Sequence, residues 1–159
     1  MTNQNEQFEK SEQIDQIRSQ KEKFEGEPTA AFKGASIAAL IIGVGAYLIG
    51  LFNAPTMLLN EKGYYFTVLI LGLYAAVSLQ KAVRDKEEGI PVTSIYYGLS
   101  WLAMFIAIGL MAIGLYNAVS LSLSEKGFYA MAFVLSVFAA ITIQKNVRDT
   151  QRARERNKD

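Results

Sequence analysis

Polar and apolar positions are sharply segregated along this chain. The first 28 residues and the last 15 are almost wholly polar, and four apolar runs lie between them: Ala30–Phe52, Gly63–Leu79, Ser94–Tyr116 and Gly127–Ile143. Across all four runs Lys33, near the start of the first, is the only Asp, Glu, Lys, Arg or His. A helix rises about 1.5 Å per residue, so some 20 residues cross the roughly 30 Å hydrocarbon core of a bilayer. Runs this long and this little interrupted predict four membrane-spanning helices, an all-α integral membrane four-helix bundle.

The polar stretches punctuate the runs. Asn53–Lys62 contains the breaker Pro55, and Asn60 is the expected N-cap of the second helix, with Glu61 favourable beside its positive end. Gly89 and Pro91 stop that helix after Glu88. Tyr64, Tyr65 and Phe66 open the second span and Tyr96, Tyr97 and Trp101 the third, where an aromatic belt at the membrane boundary is expected. In residues 1–28 acidic and basic side chains alternate, with pairs such as Arg18–Glu22 and Lys21–Glu25 four apart, while apolar positions (Phe8, Ile14, Ile17, Phe24) are sparse. This predicts a frayed or partly helical tail.

The second half repeats the first. Placing Gly34–Asp85 over Gly98–Asp149 without a gap matches 23 of 52 positions, an offset of 64 residues. The chain therefore divides into a polar segment 1–28, two-helix repeats 29–89 and 90–149, and a basic tail 150–159. With an even number of spans in each, the two copies run in the same direction, related by a pseudo-two-fold axis along the membrane normal.

Basic residues set the expected orientation. If there are four spans, the termini and the central link share one side, and that side carries fourteen Lys and Arg. The other side carries two, Lys62 and Lys126. The imbalance predicts cytoplasmic termini and a cytoplasmic link, with the two short connections outside. No signal peptide is read at the N-terminus, which is expected to stay on the mature protein.

Composition narrows the chemistry. With no Cys and no His, disulfides, thiolate or imidazole metal sites and Ser-His or Cys-His nucleophiles drop out together. A formal net charge of +1 does not suit nucleic acid. The absence of charge inside the runs lowers the case for an ion-coupled carrier.

Three groups of matched residues mark the repeat: Asn53-Ala54 with Asn117-Ala118, Glu61-Lys62-Gly63-Tyr64-Tyr65 with Glu125-Lys126-Gly127-Phe128-Tyr129, and Gln80-Lys81-Ala82-Val83-Arg84-Asp85 with Gln144-Lys145-Asn146-Val147-Arg148-Asp149. In these the chain resembles the YiaA/YiaB family of small bacterial inner-membrane proteins, built from the YiaAB two-helix domain. The resemblance covers about two thirds of the chain. It implies a bacterial inner (cytoplasmic) membrane location and a paired-hairpin architecture, and it supplies no catalytic residues.

Two features are candidate sites. Lys81, Arg84, Asp85, Lys145, Arg148 and Asp149 would form a paired rim binding anionic lipid headgroups or a protein partner. They equally suit helix ends that anchor at the membrane surface and complement the helix dipole. At the other end, Glu61 and Glu125 would meet near the pseudo-axis as a cation or substrate entry, or else simply start their helices, with Tyr65 and Tyr129 as interfacial anchors. The small-residue spacings Ala35-x-x-x-Ala39-x-x-x-Gly43, Ala103-x-x-x-Ala107, Gly72-x-x-x-Ala76 and Ser136-x-x-x-Ala140 are read as helix-packing faces, within the chain or in a homo-oligomer. Ser and Thr hydroxyls in the spans are expected to bond back to their own helix. The expected function is a non-enzymatic membrane protein with a structural, interaction or stress-related role and no cofactor. The alternative is a small channel or transporter for a neutral or weakly polar solute.

Overall fold

The computed structural model describes residues 7–17 and 27–156. Residues 7–17 form an exposed helix, α1. The expected Arg18–Glu22 and Lys21–Glu25 pairs lie outside the described residues. Four long helices follow: α2 (Ala30–Asn53), α3 (Leu59–Glu87), α4 (Ser94–Asn117) and α5 (Leu123–Arg156). Each is long and apolar enough to cross a membrane. The basic tail is not a separate piece, since α5 carries the helix through it to Arg156.

Equivalent residues of the two repeats build equivalent helix ends. Thr29 Oγ1 accepts from the Phe32 N–H (3.2 Å) and Thr93 Oγ1 from the Tyr96 N–H (3.3 Å), capping α2 and α4. At the far ends Asn53 Nδ2 donates to the Ile49 carbonyl (2.9 Å) and Asn117 Nδ2 to that of Ile113 (3.0 Å). The Lys62 ammonium reaches back over the loop to the Phe52 carbonyl (3.0 Å), as Lys126 does to Tyr116 (3.4 Å). The lysine bonds satisfy carbonyls that a helix terminus leaves without partners, and the asparagine bonds add a second donor to a carbonyl of the last turn. They give a structural reason for the recurring Asn-Ala and Glu-Lys pairs.

Asn60 is not the cap of α3. The helix starts one residue before it, and Leu58, which has no side-chain acceptor, occupies the cap position. Glu61 takes over the task by accepting the Leu58 N–H on Oε2 (2.7 Å). In the second repeat Ser122 and Glu125 form a reciprocal capping box. α3 ends on Gly89 at φ 72°, which allows the Ile90 N–H to reach the Asp85 carbonyl (2.8 Å) and the Gly89 N–H that of Lys86 (3.2 Å).

Packing crosses the repeats. α2 lies chiefly on α5 and α3 on α4, with α3 against α5 between them; the two helices of one repeat barely touch. The short loops join helices that belong to different packed pairs, so the repeats interlock. Gly43 shows how close α2 and α5 come: a Cβ there would stand 3.0 Å from the Ser136 nitrogen and 2.7 Å from its Oγ. Two further glycines receive rings from the other repeat at matching positions, Gly50 from Phe128 and Gly114 from Tyr64.

The buried stripe of α2 is Ser36, Gly43, Tyr47 and Leu51. Ala35 is exposed, so the Ala35–Ala39–Gly43 row is not the packing face; the row that meets α5 is turned by about one position. Ser36, Thr67, Ser100, Ser136 and Thr142 each bond back to the carbonyl four residues earlier, as expected of hydroxyls in a span.

Candidate functional site

The ends of α3 and α5 come together, and of the expected rim Arg84, Lys145, Arg148 and Asp149 line one cavity between them, while Lys81 stands apart on the surface. Arginines do the joining. Arg84 presents Nε (3.0 Å) and Nη2 (2.7 Å) to Asp85 Oδ1, a fork that fixes the guanidinium against a buried carboxylate. Glu88, the C-cap of α3, accepts ion pairs from Arg148 and Arg152 of α5. Arg84 Nε stands 4.0 Å from the same Glu88 oxygen. Lys81 and Lys145 are exposed, and among the described residues neither enters an ion pair.

Glu88 and Arg152 lie outside the matched Gln-Lys-x-Val-Arg-Asp windows, which is why comparing the repeats misses them. Their signal was helical spacing: Arg152 follows Arg148 by four residues, as Glu88 follows Arg84, so each pair shares a face. Between these ends is a cavity of about 380 Å³ lined by Gln80, Arg84, Glu87, Lys145, Arg148 and Arg152. Four cations face two carboxylates, Glu87 and Asp149, in its lining, so the cavity is basic on balance.

The same end holds two further contacts. Asn146 Nδ2 donates to Ser36 Oγ (3.0 Å) with both residues buried, pinning α5 to the start of α2. Asn146 sits where the first repeat has Ala82, so this bond belongs to one half only. The Lys86 ammonium lies 4.4 Å from the centre of the Tyr97 ring, linking the end of α3 to the start of α4.

At the opposite end the tyrosines meet, not the glutamates. Glu61 and Glu125 are each engaged with their own helix start. Tyr65 and Tyr129 are 97% buried inside the bundle rather than facing the membrane boundary, which corrects the expected anchoring role. Their rings stack at 6.0 Å, and Tyr47 packs edge-on against Tyr129 at 5.5 Å. The Tyr47 hydroxyl donates to the Tyr65 carbonyl oxygen (2.9 Å) and lies 3.8 Å from the sulfur of Met111. Three adjacent aromatics on a helix cannot all face lipid; Phe66 is exposed, while Tyr64 and Tyr65 turn inward.

A family model described as the yiaA/B two helix domain matches the chain twice, at residues 32–85 and 96–149. The chain is 57% identical over 119 residues to "Inner membrane protein YiaA" of Escherichia coli (strain K12), across 75% of this chain and 81% of that one. It is 40% identical over 67 residues to "Uncharacterized membrane protein YubF" of Bacillus subtilis (strain 168), across 42% of this chain and 77% of that protein. No solved structure matches the chain.

Proposed function

The chain belongs to the yiaA/B two-helix domain family, and from that premise we propose that it is a non-enzymatic inner-membrane protein acting through its charged end. There it engages anionic lipid headgroups or a protein partner. The observation that carries this reading is the joining of α3 and α5 by Glu88. The arginines are spent on the frame, while Lys81 and Lys145, from equivalent places in the two repeats, are left exposed. Each such lysine near an anionic surface contributes about 1 kcal/mol of attraction.

The likeness to an inner membrane protein supports the location. The fourteen-to-two distribution of Lys and Arg supports cytoplasmic termini and a cytoplasmic charged end. A reporter fused after Asp159 is expected to be active in the cytoplasm; activity on the far side overturns the orientation. The packed interior, with Tyr47, Leu51, Val68, Leu69 and Ser136 fully buried, favours the interaction role over solute passage.

The test of the role is purification in mild detergent of the full chain, of a variant with Lys81 and Lys145 neutralised, and of one with Arg84 and Arg148 neutralised as well. Co-purifying anionic lipid or protein is expected to be lost from both variants. Unchanged co-purification removes the rim from the account.

A further inference from the structure

A different site lies at the opposite end of the bundle, where α3 begins and α4 ends. A cavity of about 360 Å³ there is lined by Asn60, Glu61, Tyr64, Tyr65, Gly114 and Asn117. We propose that it binds a primary ammonium group.

The walls are aromatic and set at right angles: the Tyr64 and Tyr65 rings are 5.4 Å apart with planes 86° from parallel. Gly114 makes this arrangement possible, since a Cβ there would enter the Tyr64 ring. Ring faces carry negative potential and attract cations. Tyr65 is 3% exposed, and among the described residues its hydroxyl has no hydrogen-bond partner. A buried hydroxyl left without a partner is costly, and a ligand in the cavity supplies one.

Most of the remaining polar atoms can accept, and the amide groups of Asn60 and Asn117 add the only side-chain N–H donors among these residues. The Tyr64 hydroxyl gives its proton to the Leu110 carbonyl, which leaves its lone pairs available. Asn117 spends an amide N–H on the Ile113 carbonyl, leaving Oδ1. Glu61 uses Oε2 for the Leu58 N–H, leaving Oε1 and a negative charge. No basic side chain is among the six. A set rich in acceptors, with one carboxylate and two ring walls, suits a cation that carries several N–H donors. That describes a primary ammonium and not a quaternary one, which has no N–H. The second repeat does not rebuild the site, because Phe128 stands where the first has Tyr64 and Ser124 where it has Asn60.

Such a group is supplied either by a small soluble amine or by the ethanolamine headgroup of a phospholipid. The full chain, purified free of amine lipids, is titrated calorimetrically with ethylammonium chloride and with ethanol as the neutral control. In parallel it is placed in nanodiscs containing phosphatidylethanolamine or phosphatidylcholine, and the retained lipid is measured. Saturable binding of ethylammonium assigns the soluble source; selective retention of phosphatidylethanolamine without it assigns the lipid. In either case Tyr65→Phe and Glu61→Gln are expected to weaken binding about tenfold each, the effect of one lost charge-assisted hydrogen bond. Tyr129→Phe, which keeps the stacked ring, is expected to leave it unchanged. Absence of binding in both arms, equal binding of ethanol, or full binding by a folded Tyr65→Phe variant overturns the proposal.

Discussion

Tyr65 and Tyr129 hold the same position in the two repeats, 64 residues apart, and their rings stack on one another with centroids 6.0 Å apart and planes 19° from parallel. Offset stacking of this kind adds about 0.5–1.5 kcal/mol beyond the area it buries. It also marks where the second helices of the two repeats face each other. Tyr47 from α2 closes the cluster, since its hydroxyl reaches the Tyr65 backbone. Tyr47→Phe is expected to cost about 1 kcal/mol, the net worth of one hydrogen bond. Tyr47→Ala should cost about 3–5 kcal/mol, because a buried ring is replaced by a void. Equilibrium unfolding in detergent with increasing SDS distinguishes the two.

Gly43 and Gly45 lie in the same helix and differ in what surrounds them. A Cβ at Gly43 meets the Ser136 backbone, whereas at Gly45 nothing lies within 4 Å. Gly43→Ala should therefore destabilise by about 1–3 kcal/mol through overpacking against α5. Gly45→Ala should be neutral or slightly stabilising, since alanine is the better helix former by up to about 1 kcal/mol. The same unfolding measurement reads both. Equal effects at the two positions would mean that α2 and α5 are not in close contact there.

Asn146 and Ser36 make an asymmetric pair of variants. Asn146→Ala copies the first repeat and removes one interhelical hydrogen bond, at a cost near 0.6 kcal/mol, typical of such bonds in membranes. Ser36→Ala leaves a buried amide short of a partner and should cost more, about 1–3 kcal/mol. If the order is reversed, the bond is not what holds this end of α2.

Glu88 is expected to hold the ends of α3 and α5 together. The chain has no cysteine, so spin labels at positions 81 and 145 report this distance without background. Glu88→Ala should broaden the distance distribution, while Glu87→Ala should not. The stability cost should be small, about 1 kcal/mol or less, because the network is partly solvated.

Much of this architecture was readable before the structure. Run length gave four helices, and the ungapped repeat gave two tandem two-helix copies, because both are written in the order of residues along the chain. What the pattern could not give was partner choice. Neighbouring helices in sequence usually neighbour in space, and the small-residue motifs carrying Gly43 and Ser136 state that each packs closely without stating on what. Tyr65 looked like a boundary residue because a ring at a helix start is compatible with lipid or with a core, and only the rotation of the helix decides. At the charged end the repeated rim residues were visible, and Glu88, which bridges them, was not, because it has no counterpart in the matched windows.

The interlocking of the repeats is tested most directly by pairs of cysteines in the otherwise cysteine-free chain. Cysteines at positions 43 and 136 join the two repeats, where the backbones approach; a pair at 43 and 72 lies within one. The first pair is expected to form an intramolecular disulfide in membranes, on a monomeric chain, and the second to stay reduced. Efficient bridging at 43 and 72 with none at 43 and 136 would contradict the cross-repeat packing, and with it the joined ends of α3 and α5.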